Sequence, residues 1–226
     1  MSELIKRFFT SIILISLLFL SIVNIYVLTT LLIIIFYQII YEFYFLFKKN
    51  IKFDEKFKLY LLIVLTLIYI GYFNIKIFII FLNNNSSELL LLYFIITICI
   101  FSDIGGYVFG KIFRGKKLTK ISPNKTISGL LGSYIFSIIS VVIIFHSNYI
   151  YGQLENFSLL NFLYIFVIST ISQIGDIIIS YFKRLSNVKN TGNVLPGHGG
   201  LLDRIDGLIF VFPVIFVLVS IIKLIK

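Results

Sequence analysis

Long apolar runs separated by short polar segments dominate this 226-residue chain. A helix needs about 20 mainly apolar residues to cross about 30 Å of hydrocarbon, and several of these runs reach that length. The runs are continuous rather than alternating, and an open sheet edge cannot be hydrogen-bonded in lipid, so strands are not expected. The pattern therefore predicts an all-α fold, a polytopic transmembrane helical bundle.

The boundaries of the apolar runs predict about seven spans. Residues 8–47 are too many for one span, so we expect them to divide near Asn24 into a hairpin of two helices. Residues 59–82 are interpreted as one span, with eight spans in all as the alternative if this run forms a re-entrant pair. The remaining predicted spans are residues 89–109, 127–145, 159–181 and 205–225.

The composition also indicates a membrane protein. Hydrophobic residues make up 59% of the chain and charged residues 13%, and the mean hydropathy is +1.03, so polar residues are too few to cover a soluble domain. Cys99 is the only cysteine, which excludes an intramolecular disulfide. We interpret residues 1–226 as a single integral membrane domain, with mainly lipid-embedded helices in residues 1–100.

The net charge of +10 is distributed unevenly between the loops. On the seven-span interpretation four basic segments share one side, namely residues 6–7, 48–58, 111–125 and 183–204. The opposite loops, residues 83–88 and 147–158, contain no Lys or Arg. By the positive-inside rule the basic side is cytoplasmic, which predicts a protein of the cell (inner) membrane with its active site facing the cytoplasm. Nucleic acid is not an expected partner, because the chain has no basic domain or long basic helix.

Four acidic residues lie in or at the edge of apolar spans, where an unpaired charge costs about 3 kcal/mol. They are Asp103, Asp176, Asp203 and Asp206. The seven-span topology puts all four near the cytoplasmic face. One interpretation is that each acid pairs with a nearby Lys or Arg and holds the bundle together. The other is a site for Mg²⁺, with one or two divalent ions of which the second could be a different cation, because Mg²⁺ takes carboxylates together with substrate phosphates.

Helical spacing predicts that two of these acids lie on polar stripes that face the bundle interior. One stripe comprises Asp103, Tyr107 and Gly110. The other comprises Gln173, Asp176, Ser180 and Lys183.

Two polar loops, each followed by a helix, are candidates for binding phosphate. The first is Ser122-Pro-Asn-Lys125-Thr126 and the second is Leu195-Pro-Gly-His198-Gly199-Gly200. A helix N-terminus after glycines offers free backbone N–H groups and a positive dipole end to an anion. For His198 an ordinary loop residue hydrogen-bonded to backbone is the alternative to a role in the site.

The residues of these segments resemble a known signature. Ser180, Lys183-Arg184, Lys189, Pro196-Gly-His198-Gly-Gly200 and Asp203-Arg204-Ile-Asp206 are similar in identity and spacing to the C-terminal signature of the phosphatidate cytidylyltransferase family, the CDP-diacylglycerol synthases. Gly175-Asp176, the segment from Asp103 to Lys111 and the Ser122 to Thr126 loop resemble upstream elements of the same family. The resemblance covers roughly the second half of the chain, and it implies that residues 101–226 are the catalytic half.

Four positions depart from the family pattern. Asn190 stands where the family has Asp, Asn124 replaces a Lys, Ser128 stands where a Glu is usual, and Gly106 replaces an Ala. Asn190 lacks a charge that could bind metal or orient Lys189, and Asn124 lacks a phosphate contact. Reduced activity or an altered substrate is therefore open.

The resemblance implies an enzyme that transfers a cytidylyl group from CTP to phosphatidic acid, forming CDP-diacylglycerol and pyrophosphate. It implies the following roles: Asp176, Lys183, Arg184, Lys189, His198 and Arg204 in catalysis; Tyr107, Ser122, Lys125, Thr126, Ser180, Gly199 and Gly200 in substrate binding; and Asp103, Asp176, Asp203 and Asp206 at the metal. Membrane lipids are expected partners, and a homodimer is left open. A CTP-dependent polyprenol or lipid kinase and a non-enzymatic transporter are the alternative functions.

Overall fold

The computed structural model describes residues 3–50, 56–84, 86–123, 125–146 and 159–225, and these ranges are helical apart from short connections. The helices are α1 (Glu3–Val23), α2 (Ile25–Asn50), α3 (Lys56–Asn83), α4 (Ser86–Phe113), α5 (Ile127–His146), α6 (Leu159–Leu185) and α7 (Leu202–Ile225). Within the described ranges there is no strand, only isolated bridges between Lys117 and Thr126 and between Leu195 and Gly199. The predicted all-α fold is confirmed.

Each predicted apolar run corresponds to one helix, or to two where a break was expected. Asn24 separates α1 from α2, and its side-chain oxygen accepts a hydrogen bond from the Tyr26 N–H at 2.9 Å, which caps α2. Residues 59–82 lie in the single continuous helix α3, as preferred over a re-entrant pair. The loop of residues 147–158, part of the basic segment 48–58 and Asn124 lie outside the described residues.

Four of the described helices are long and apolar enough to cross a membrane, namely Ile25–Asn50, Phe57–Asn83, Ser86–Phe113 and Phe162–Leu185. Shorter apolar helices occur at Arg7–Val23 and Ile127–Val142. Large apolar side chains are widely exposed on these helices, with Ile15 at 67% and Ile68 at 66%. Such a surface requires a lipid environment, so the chain is a membrane protein. The count of seven spans stays a prediction.

The chain divides into two compact units. The first contains Met1–Asn85 with Phe182–Ile205, and the second contains Ser86–Tyr181 with Asp206–Lys226. The single integral membrane domain inferred from the sequence stays a prediction.

In the first unit, α1, α2 and α3 pack with the segment that connects α6 to α7. Ile39, Leu46 and Ile70 are fully buried in this unit. The Asn50 side chain donates to the Ser186 hydroxyl at 2.8 Å, and that hydroxyl contacts the Leu46 carbonyl at 3.0 Å. The end of α2 is therefore fastened to the start of the connecting segment.

In the second unit, α4 and α5 meet along a seam of glycines. A Cβ atom at Gly129 would lie 2.7 Å from the Gly106 carbonyl oxygen, and one at Gly106 would lie 2.7 Å from the Ser133 hydroxyl. Gly105 and Gly132 approach in the same way, each facing the other's backbone oxygen. Small residues let helix backbones approach closely in a membrane, where apolar burial alone does not drive association.

Candidate active site

The first unit gathers its polar residues around a glycine-rich connection, here called the glycine loop (residues 190–201), and the start of α7. Asp203, in the first turn of α7, accepts hydrogen bonds from the Thr191 N–H at 2.9 Å and the Gly200 N–H at 3.2 Å. Its other oxygen accepts from Lys183 Nζ at 2.8 Å. Asp203 and Lys183, both predicted as site residues, are thus brought together as an ion pair.

The polar contacts of Asp203 bear on its predicted metal role. Both carboxylate oxygens are engaged by donors of the protein, because Thr191 Oγ1 also lies 3.1 Å from Oδ2. A metal ion at Oδ1 would have to replace the ammonium of Lys183. The assignment of Asp203 as a metal ligand stays a prediction.

Glu42 is a member of this cluster that sequence reasoning left out. Its side chain is only 1% exposed, and it accepts hydrogen bonds from the Leu201 N–H at 2.9 Å and the Leu202 N–H at 3.0 Å. Thr191 Oγ1 donates to it at 2.5 Å, and Gln38 Nε2, one turn earlier on α2, donates at 2.8 Å. A charged residue in the middle of an apolar run was the available signal.

The ring of His198 is held by the first helix of the chain. Its Nδ1 lies 2.8 Å from the Thr10 hydroxyl, and Arg7 Nε donates to the Gly197 carbonyl at 2.9 Å. Arg204 binds the backbone of the same residue: its Nη2 and Nε donate hydrogen bonds to the His198 carbonyl at 2.8 Å and 3.2 Å. His198 and Arg204, both predicted catalytic residues, are thus neighbours.

A tight turn carries His198. The Leu195 N–H donates to the Gly199 carbonyl at 2.9 Å, and the Gly199 N–H donates back to the Leu195 carbonyl at 3.1 Å. Gly197 and Gly199 adopt positive φ angles of 77° and 88°, which L residues with a Cβ rarely do. The turn therefore depends on glycine at these two positions.

The remaining cations predicted in this unit are at the surface. Arg184 and Lys189 are exposed, and Arg184 lies in the last turn of α6. Asn190 is exposed and lies beside Gly199, since a Cβ atom built on that glycine would be 3.4 Å from Asn190 Cγ. The position where the family has Asp is thus adjacent to the turn that carries His198.

The second unit holds a separate ion pair between two predicted residues. Lys125 Nζ lies 2.6 Å from Asp176 Oδ2 and 3.4 Å from the Gln173 carbonyl. Asp176 Oδ1 is buried and has no hydrogen-bond partner among the described residues. Asp103 lies close enough to Asp176 and Lys125 for their charges to interact. The second unit therefore brings Lys125 and Asp176 into contact, with the charge of Asp103 near enough to act on both.

Glycine makes room around Asp176. A Cβ atom at Gly207 would lie 3.2 Å from Asp176 Oδ1 and would also meet the Ser172 hydroxyl. At Gly175 a Cβ atom would lie 2.9 Å from the carbonyl oxygen of Asp206, so α6 and α7 touch backbone to backbone at this point. The Asp206 side chain accepts from the Gly207 N–H at 3.1 Å.

The basic loop (residues 114–126) closes on itself before α5. Thr126 caps α5, because its hydroxyl accepts the Gly129 N–H at 3.1 Å. The Leu118 N–H donates to the Lys125 carbonyl at 2.8 Å, and the Ser128 hydroxyl donates to the Arg114 carbonyl. The Thr126 hydroxyl, predicted to bind substrate, therefore also has a structural role at the helix start.

The structure does not test the predicted substrate contacts of three other residues. Ser122 accepts the Lys125 N–H through its carbonyl at 3.1 Å and helps to shape the basic loop. Tyr107 is 68% exposed, and Lys111 Nζ lies 5.6 Å from the centre of its ring. Ser180 lies on α6, half-buried. Their roles stay predictions.

The predicted divalent cation was compared with the groups present. Among the described residues, no group of three or more His, Cys, Asp or Glu side chains lies together as a metal site. Mg²⁺, however, is usually bound by one or two carboxylates with substrate phosphates and water. The buried, unpartnered oxygen of Asp176 fits that donor set, and Asp103 is a second carboxylate of the same unit. Asp103, Asp176 and Asp206 belong to the second unit and Asp203 to the first, so the convergence of all four stays a prediction.

The long apolar helices, and the ion pairs that α6 makes through Asp176 and Lys183, define the class: a helical membrane protein that keeps charged groups at its helices. The sequence profile described as the Cytidylyltransferase family matches residues 1–222. The chain therefore belongs to the cytidylyltransferase family, which confirms the resemblance inferred from the sequence.

Curated relatives agree with this assignment. The phosphatidate cytidylyltransferase of Rickettsia typhi is 43% identical over 120 residues, which are 50% of this chain and 51% of the relative. That of Rickettsia bellii is 41% identical over 131 residues, 55% of this chain and 54% of the relative. That of Staphylococcus haemolyticus is 42% identical over 119 residues, 52% of this chain and 44% of the relative. The chain thus spans about half the length of the curated relatives it matches.

Proposed function

We propose that this protein transfers the cytidylyl group of CTP to phosphatidic acid, forming CDP-diacylglycerol and releasing pyrophosphate. Its family and the name of its relatives support this reaction. The observation that carries the proposal is the contact of 2.6 Å between Lys125 and Asp176. It joins the Ser122 to Thr126 loop to the Gly-Asp element of α6, two segments that the resemblance associates with substrate and catalysis.

Lys125 and the carboxylates beside it provide the charges that this reaction needs. A lipid phosphate attacks the α-phosphorus of CTP, and negative charge grows on the pyrophosphate that leaves. The ammonium of Lys125 would bind a phosphate oxygen, and Asp176 positions that ammonium through a half-buried ion pair. Asp103 and Asp176 would hold Mg²⁺, and the bound ion would neutralise phosphate charge.

The residues that flank the glycine loop contribute a second set of cations. Arg204 offers a planar group for bidentate contact with phosphate, and Lys183, Arg184 and Lys189 act as further positive charges. Asp203 fixes Lys183 and the loop backbone by the hydrogen bonds described above. No covalent intermediate is required by this arrangement.

The test of this function supplies purified protein with CTP, Mg²⁺ and phosphatidic acid and measures both pyrophosphate and the lipid product. We expect pyrophosphate and CDP-diacylglycerol in equal amounts, and no product from the Asp176→Asn variant. Folded protein that releases no pyrophosphate would overturn the proposal. Formation of CDP in place of pyrophosphate would instead identify the lipid kinase that the sequence left open.

We further propose that the protein lies in the cell (inner) membrane with Lys125 and the glycine loop on the cytoplasmic side. The basic residues around Lys125 and those that flank the glycine loop support this orientation through the positive-inside rule. In a Cys99→Ser background, a single cysteine at Lys117 should resist a membrane-impermeant maleimide added to intact cells. A cysteine at Ser87, at the other end of α4, should react. Labelling of Lys117→Cys from outside would reverse the assigned orientation.

A further inference from the structure

Glu42 has a place in the structure that the chemistry above does not use. It is an acid in the apolar helix α2, it is 1% exposed, and none of the four groups that hydrogen-bond to it is a cation. Burying a carboxylate in this way is costly unless its oxygens are fully hydrogen-bonded. The role of this buried carboxylate is therefore sought in the groups that hydrogen-bond to it.

Three of its four donors come from the glycine loop and the start of α7. Oε1 accepts the Leu201 N–H at 2.9 Å, and Oε2 accepts the Leu202 N–H at 3.0 Å and the Thr191 hydroxyl at 2.5 Å. The first N–H groups of a helix have no partner within the helix, and they lie at its positive dipole end. Glu42 therefore serves as an external cap for α7, supplied from a helix about 160 residues earlier in the chain.

The fit around this carboxylate is close on both sides. A Cβ atom at Gly200 would lie 2.5 Å from Glu42 Oε2, and one at Gly192 would lie 3.1 Å from Oε1. Glycine at these positions lets the loop backbone approach the carboxylate. The two glycines and the buried acid thus form one unit of structure.

Thr191 links Glu42 to the ion pair with Lys183. Its hydroxyl lies between Glu42 Oε2 at 2.5 Å and Asp203 Oδ2 at 3.1 Å, and its N–H donates to the same Asp203 oxygen at 2.9 Å. A hydroxyl has one proton to donate, and the shorter distance assigns it to Glu42. A displacement of Glu42 would therefore be felt at Asp203 and at Lys183.

We propose that Glu42 is a positioning residue for the transfer reaction: it locks the glycine loop and the first turn of α7, and so fixes Lys183, His198 and Arg204. This inference rests on the proposed function for its catalytic part, whereas the anchoring itself does not depend on it. Because the residue acts through others, its removal should lower the rate of turnover more than it weakens the binding of substrate.

The first experiment measures amide hydrogen exchange in the Glu42→Gln variant. Glutamine keeps the volume, but its NH₂ group turns a donor toward a backbone N–H or the Thr191 hydroxyl. We expect peptides that contain Leu201 and Leu202 to exchange at least tenfold faster, with α3 peptides unchanged. Unchanged exchange at Leu201 and Leu202 would overturn the anchoring, whatever the activity.

The second experiment measures kinetics of the same variant with CTP and phosphatidic acid. We expect kcat to fall about 100-fold and KM for CTP to change less than about threefold, as for a small misplacement of catalytic groups. Thr191→Val, which removes only the hydroxyl, should move kcat in the same direction by a smaller factor. Wild-type kcat in Glu42→Gln would overturn the positioning role.

The anchoring role of Glu42 and the proposed function can be tested separately. Asn74 is also a buried polar residue of the first unit, but its side chain donates to the Ile70 carbonyl of its own helix, so Asn74→Leu should leave exchange at Leu201 unchanged. If wild-type protein makes no CDP-diacylglycerol, the proposed function and the catalytic part fail together. The exchange measurement still decides whether Glu42 anchors the loop.

Discussion

The ammonium of Lys183 lies 2.8 Å from the carboxylate of Asp203, and both side chains are largely buried, at 14% and 11% exposed. Lys183 lies in the last turn of α6 and Asp203 in the first turn of α7, and the glycine loop runs between them. The pair therefore closes the loop at its base. The loss of either residue should destabilise the protein, because a buried charge without its partner is strongly destabilising.

Removal of both members of this pair should cost less than the sum of the two single removals. We expect Lys183→Met to lower the free energy of unfolding by about 3 kcal/mol, because it leaves Asp203 unpaired. The double variant Lys183→Met/Asp203→Asn should be less destabilised than the sum of the single variants. Thermal unfolding in detergent measures this difference. Additive effects would show that the two charges do not interact in solution.

The ion pair in the second unit predicts a loss of activity that extra metal cannot repair. Asp176→Asn keeps the shape of the side chain but removes the charge that holds Lys125 and the buried oxygen that faces no partner. We expect turnover to fall at least about 100-fold. A titration with Mg²⁺ should not restore it.

Glu88 offers a control for this charge change. It lies in the first turn of α4, the same helix that carries Asp103 at its other half. Glu88→Gln should retain turnover within about twofold of wild type, the range expected for a charge away from the site. Equal losses of turnover in Glu88→Gln and Asp176→Asn would contradict a specific role for Asp176 in the reaction.

The glycine seam between α4 and α5 predicts a stability difference between two glycines. A methyl group at Gly129 would clash with the Gly106 carbonyl oxygen at 2.7 Å, so Gly129→Ala should lower the free energy of unfolding by about 1–3 kcal/mol. Gly71 on α3 is a matched control, because the atom nearest to an added Cβ is 3.9 Å away. Gly71→Ala should be neutral in the same unfolding measurement. A Gly129→Ala variant as stable as wild type would contradict the close approach of the helices.

Asn190 allows a test in the direction of gain. An aspartate here would restore the charge that the family carries beside Lys189. Both residues are exposed, and an exposed charge contact is worth about 0.2–1 kcal/mol, so turnover should rise by no more than about fivefold. Steady-state kinetics of Asn190→Asp measure this change. A fall in kcat would show that asparagine suits this loop better than the family residue.

The helices could be predicted closely because span length is set by the membrane and not by tertiary contacts. The break at Asn24 and the single helix over residues 59–82 follow from that rule. Glu42 could not be assigned in the same way, since three of its four partners are 149 to 160 residues away in the chain and two of those are backbone N–H groups. Backbone donors leave no mark in the amino-acid sequence.

Thr126 illustrates a different limit. The resemblance assigned it to substrate binding, and the structure also gives it a helix cap. A threonine directly before an apolar helical run is an ordinary N-cap signal, so the cap could have been predicted from the sequence alone. Motif similarity identifies which residues matter, but it does not separate contact with substrate from support of the fold.

The contacts of α1 with the turn at His198 have a consequence for genetics. Thr10 reaches the imidazole ring and Arg7 reaches the Gly197 carbonyl, although 188 and 190 positions separate the partners. In a random-mutagenesis screen for lost activity, substitutions at Arg7 and Thr10 should therefore have the same effect as those at Gly197 and His198. A deep mutational scan would then show that Arg7 and Thr10 tolerate few substitutions, although the apolar sequence of α1 suggests only a lipid anchor.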